Sequence, residues 1–105
     1  MGWIYLVIAA LFEVGWPIGL KLANVTPYKT IWILFALITM AFSGYFLYLA
    51  QRTIPIGTAY AVWTGIGTIC TFLIGIVFFH DAAGLIKGLG ILFIVLGIVI
   101  LKLTN

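Results

Sequence analysis

Residues 3–22 read WIYLVIAALFEVGWPIGLKL. One acid, Glu13, stands in the middle of an otherwise apolar run. The fold turns on whether this is a membrane span that tolerates a carboxylate. Composition decides it: 66% of the 105 residues are hydrophobic and 7% are charged, whereas a soluble domain keeps about a quarter of its residues charged. Lipid is therefore the main solvent. Apolar stretches cover residues 3–20, 31–50, 55–79 and 88–101, and a helix needs about 20 apolar residues to cross a bilayer. The second and third qualify directly. The first qualifies once Glu13 is accepted, and the fourth once it is extended back through 82–86 with Lys87 snorkelling to the interface. None has the alternating pattern of a barrel strand, and backbone groups in hydrocarbon must be satisfied internally. The reading is an all-α membrane protein with four transmembrane helices, about 3–22, 31–50, 55–79 and 84–102, in one domain over 1–105.

The connections near 23–30, 51–54 and 80–84 leave no room for a soluble catalytic module. No nucleophile–base pair and no cluster of metal ligands occurs, so neither an enzyme nor a cofactor is expected. The first stretch lacks the basic start of a signal peptide, and Leu6 stands where a myristoylation motif needs Ser or Thr. The net charge of +3 is scattered, which gives no nucleic-acid footprint. Cys70 is alone and carries no redox inference.

Cytoplasmic loops normally hold the excess of Lys and Arg. With four spans, Arg52, Lys102 and the terminal amine fall on one side, and Lys21, Lys29 and Lys87 on the other. So small a bias predicts insertion both ways up. Four helices are few for a sheltered pathway, and an antiparallel homodimer would recreate the inverted symmetry that other transporters build from internal repeats. A single orientation is the alternative.

Glu13 lies about ten residues from either end of its span, about 15 Å from each surface. An ionisable group there costs about 2.5–3.5 kcal/mol and is a functional site by default. The plain structural alternative is a protonated acid seated between helices. Such a carboxyl can hold a proton or a cation but not both, and that competition couples two fluxes when the site opens to one side at a time. Asp81, by contrast, sits at a helix end, where an aqueous loop explains it.

Trp16 follows Glu13 by three, on the same helix face, and Tyr60 and Trp63 repeat that spacing in the third span. Aromatic faces attract cations. Trp3 and Trp32 fit an interfacial belt, whereas Trp63 lies too deep for one. Pro17 removes the N–H that would bond the Glu13 carbonyl, which frees that acceptor beside the carboxylate and predicts a kink. Ser43 has two readings, orienting the carboxylate or back-bonding to its own helix. Gly65 and Gly67 form a hinge or a close packing point. Gly90 and Gly97 lie on one stripe of the fourth span, suited to dimer contacts.

Length, four spans, the midplane glutamate and PIGTAYAVWTGIG (residues 55–67) together resemble the small multidrug resistance transporters. The match runs over the whole chain. EVGWPIGLK (13–21), TAYAVWTGIG and the late Lys102 resemble the guanidinium-exporter branch, in which a tryptophan follows the glutamate by three. The resemblance implies an antiparallel homodimer in the bacterial inner membrane that exchanges protons for a cation. Glu13 would bind both, and Trp16, Ser43, Tyr60 and Trp63 would line the substrate site. Pro17 stands where the family usually has an alanine-like residue. Guanidinium suits such a site because its planar fork of N–H donors matches a carboxylate. A quaternary ammonium ion donates nothing and prefers a roomier aromatic cage. Export of guanidinium or small substituted guanidinium ions is thus the expected function. The alternatives are promiscuous export of quaternary ammonium or other hydrophobic cations, a non-transporting assembly subunit, and half of a heterodimer.

Overall fold

The structure, a computed structural model, describes residues 1–104. Four helices account for nearly all of them: α1 (Gly2–Val25), α2 (Lys29–Ala50), α3 (Ile56–Phe79) and α4 (Leu85–Thr104). Each is long and apolar enough to cross a membrane. α1 and α3, of 24 residues each, reach about 36 Å at 1.5 Å per residue, enough to span with some tilt. α1 runs beyond residue 22 because Thr26 closes its last turn, its N–H and hydroxyl both donating to the Leu22 carbonyl at 3.0 and 2.6 Å.

The helices lie side by side in the order α2–α1–α3–α4. α1 packs on α2 and α3, α4 packs on α3, and α2 barely meets α3. Helix axes pack about 8–10 Å apart, so four in a row need about 30 Å, and the chain measures 45 × 34 × 16 Å. It is a slab rather than a closed bundle. α4, at the edge of the row, has no buried residue.

Leu6, Ala50, Ile54, Ala59 and Val62 form the buried core, bringing the start of α1 against the α2–α3 connection. Three of the basic side chains lie over aromatic rings: Lys102 over Trp3 at 4.8 Å, Arg52 over Tyr48 at 5.4 Å and Lys21 over Phe79 at 6.0 Å. These contacts let the cations cap the helix ends while their stems stay in lipid.

α1 approaches α2 through Gly15 and Gly19, a small-xxx-small pair that lets two backbones close. A Cβ at Gly15 would come within 2.7 Å of Thr39 Cγ2, and one at Gly19 within 3.0 Å of the Trp32 carbonyl. Thr39 has nowhere to go: it is buried, and its hydroxyl contacts the Phe35 and Ala36 carbonyls at 3.0 Å each. Gly15→Val is predicted to cost about 1–3 kcal/mol, the usual range for overpacking. Thermal unfolding in detergent measures it, and an unchanged midpoint would show that α1 and α2 are not held this closely.

Candidate functional site

α1 and α3 cross at Glu13. A Cβ on Gly67 would sit 2.8 Å from Glu13 Cγ and 3.4 Å from its Cβ, so the glycine makes room for the acid. Gly65, two residues earlier, faces α4, where a Cβ would meet Ile98 Cδ1 at 2.8 Å. α3 runs unbroken through both positions. In this structure the two glycines face different neighbours, Gly67 the acid on α1 and Gly65 the isoleucines of α4.

The Glu13 side chain is half-buried and held by its own helix. The Trp16 indole N–H donates to Oε1 at 2.7 Å, which the i, i+3 spacing makes local and inexpensive. From α2, fully buried Ser43 reaches α1, not its own helix. Its hydroxyl donates to the Ala9 carbonyl at 2.7 Å, while Glu13 Oε2 lies 3.4 Å away. A serine has one proton to give, and the shorter contact takes it. From α3, Trp63 Nε1 donates to Ser43 Oγ at 2.8 Å, so three helices meet in one polar network. Every buried side-chain nitrogen and oxygen among the described residues has a partner. An ionised carboxylate offers about four acceptor positions. The network occupies one or two of them and leaves the rest facing open space.

That space is a cavity of about 280 Å³ lined by Glu13, Trp16, Met40, Gly44, Tyr60, Trp63 and Thr64. Tyr60 and Trp63 pack as a tilted pair, 5.3 Å between centroids. The structure therefore brings Glu13, Trp16, Ser43, Tyr60 and Trp63 together, four around the cavity and Ser43 just behind. Gly90 and Gly97 lie elsewhere, on α4, with nothing within 4 Å of an added Cβ; within this chain they pack against nothing.

A second, larger cavity of about 450 Å³ lies on the other side of Glu13 and reaches Asp81. Sequence reading assigned Asp81 to an aqueous loop. Asp81 does lie in that connection and is exposed, but the cap of α3 turns it back: His80 takes the left-handed conformation (φ 56°) and the Asp81 N–H returns to the Gly75 carbonyl at 3.0 Å, a left-handed helix stop. The carboxylate is thereby folded back against Gly75, whose missing side chain admits it. The available signal was a glycine four residues before the end of an apolar span, followed by an acid just past it.

Comparison with known proteins gives the family. The family described as "Small Multidrug Resistance protein" matches residues 1–96. The chain belongs to the small multidrug resistance family. A guanidinium exporter of Yersinia pseudotuberculosis is 46% identical to it over the full length of both chains. One from Escherichia coli K12 is 41% identical and one from Citrobacter freundii 43%, each over all of this chain and 99% of the relative. With four spanning helices and bacterial relatives, this small multidrug resistance protein is a multi-pass protein of the bacterial inner membrane.

Proposed function

We propose that this protein exports guanidinium or small substituted guanidinium ions in exchange for protons, with Glu13 as the site both compete for. The family and the transporter names of its relatives support a small-cation exporter, not an enzyme. The observation that carries the finer reading is the state of Glu13. Its carboxylate is fixed by the Trp16 indole at 2.7 Å and keeps free acceptor positions toward a small aromatic-walled cavity. A forked N–H donor can bond the carboxylate in its plane while Tyr60, Trp63 and Trp16 flank it. A bound proton removes the negative charge that the cation needs. The two occupants then exclude one another.

The working unit in this proposal is an antiparallel homodimer. A slab one helix row across cannot enclose a pathway, and α4 presents a wholly unburied face with Gly90 and Gly97 on it. The near-even distribution of basic residues supports two opposed orientations.

Export of quaternary ammonium ions remains the second reading, favoured by the aromatic lining and by Met40, an adaptable side chain. Currents on solid-supported membranes separate the two. Liposomes carrying the protein are expected to give proton-coupled currents with guanidinium and small ones with tetraethylammonium, since a site built to hydrogen-bond rejects a ligand that leaves its acceptors unpaired. Equal currents would favour the multidrug reading.

A further inference from the structure

The larger cavity has a consistent chemistry along its length. On α3, Thr64, Thr68 and Thr71 recur at i, i+4 and i+7 and so share one face, and all three line the cavity between Glu13 and Asp81. Thr64 donates its hydroxyl proton to the Tyr60 carbonyl at 2.8 Å, and Thr68 donates to the Thr64 carbonyl at 2.6 Å. Each has thereby placed its proton on its own helix and leaves its oxygen as an acceptor. Pro17 lies on the opposite wall and has no N–H to give the Glu13 carbonyl. The Glu13 and Asp81 carboxylates and two hydroxyl oxygens thus line one space rich in acceptors, of which Glu13 Oε1 already takes the Trp16 indole N–H. Neither Lys21 nor Lys87 lines this cavity: Lys21 lies over Phe79 in the adjoining one, and Lys87 donates to the Ala82 carbonyl at 3.4 Å.

Asp81 closes this row at the membrane edge. It also lines an adjoining cavity of about 160 Å³, together with Pro17, Lys21 and Phe79. Its position is built rather than incidental, since the left-handed turn at His80 and the open Gly75 aim it back along α3.

We propose that Asp81 is an outer cation station at the mouth of a water-lined channel that runs along the threonine face of α3 to Glu13. The station takes hydrated cations that donate N–H or O–H, guanidinium ions foremost. It acts on arrival: a carboxylate at the mouth of a low-dielectric cleft raises the local concentration of cations and lowers that of anions. The acceptor row then replaces water around the cation, step by step, before it reaches Glu13. The proposal extends the export reading above and supplies its path, but its test does not require transport to be observed.

Cys70 is the single cysteine. In a Cys70→Ala background, cysteines introduced by Thr68→Cys, Thr71→Cys and, on the lipid-exposed side, Leu73→Cys are exposed in liposomes to two water-soluble methanethiosulfonates. One carries a trimethylammonium group and the other a sulfonate. The variants at 68 and 71 are expected to react and the variant at 73 to stay unlabelled. The cationic reagent is expected to react faster, and Asp81→Asn to lower the cationic-to-anionic rate ratio by about tenfold, the scale of one nearby charge in a cleft. No labelling at 68 and 71, or a ratio indifferent to Asp81→Asn, overturns the proposal. Guanidinium currents on the same liposomes judge the export reading separately. If the wild type gives none, that reading falls and the labelling ratio still decides the channel.

Discussion

Glu13→Gln abolishes cation-driven proton exchange and leaves the fold in place. This is the largest functional effect expected of any single substitution here. Glutamine keeps the volume of glutamate, and its amide oxygen can still accept the Trp16 indole N–H that Oε1 accepts at 2.7 Å. Its amide nitrogen, near the present Oε2 position, can donate to Ser43 Oγ, now 3.4 Å away. The packing against Gly67 is unchanged because the Cβ and Cγ atoms are the same. What disappears is the charge. Without it the site neither binds a proton nor holds a cation in hydrocarbon, where an unpaired ion is strongly disfavoured. The expected result is no guanidinium-evoked current on solid-supported membranes, with helicity and elution volume in detergent like those of the wild type. Coupled current surviving in the variant would remove Glu13 from its role and send the search to Asp81, the other acid of the chain.

Some of this site is visible in the sequence because its geometry is local. Trp16 reaches Glu13 along one helix turn, and the depth of Glu13 follows from counting residues in an apolar run. The spans themselves are legible because hydrocarbon imposes one requirement, internal hydrogen bonding, over about 20 residues. Ser43 is different. Its meeting with Ala9 and Trp63 depends on how α1, α2 and α3 cross, and no spacing within α2 encodes that crossing. Gly15 and Gly19 carry a readable signal that the neighbouring acid and proline draw attention away from; the same stretch holds both the candidate site residue and the packing motif. Asp81 is hidden by a change of chain direction. Counted along the sequence it lies outside the span, but the left-handed turn at His80 brings it back beside the helix it has just left. Gly90 and Gly97 are readable as a stripe, yet no atom of the same chain fills the space beside them.

Gly65→Ala and Gly67→Ala add the same methyl group two residues apart and are predicted to fail in different ways. At Gly67 the new Cβ would lie 2.8 Å from Glu13 Cγ. That atom is the stem of the carboxylate, held at its far end by Trp16 and carried on α1, which is itself locked to α2 through Gly15 and Gly19. Relief comes from swinging the carboxylate off the Trp16 indole, which spoils the hydrogen-bonded position the cation needs. Displacement of this order around a reacting group costs about 100-fold in rate, and the loss is expected in guanidinium binding and current more than in stability. At Gly65 the closest atom is Ile98 Cδ1, the tip of a flexible side chain on α4, followed by Ile98 Cγ1 at 3.2 Å and Ile94 Cγ2 at 3.3 Å. Those tips can turn aside, and α4, at the edge of the row, packs mainly on α3 with Lys102 over Trp3 as its reach to α1, so it can shift by a few tenths of an ångström. The cost is then of overpacking type, about 1–3 kcal/mol, read in thermal unfolding, with Glu13 untouched. Isothermal titration with guanidinium alongside unfolding midpoints separates the two outcomes. Equal loss of binding in both variants would mean that α3 bends at this pair as a hinge, so that either methyl reaches the site through the helix rather than through the contact it makes.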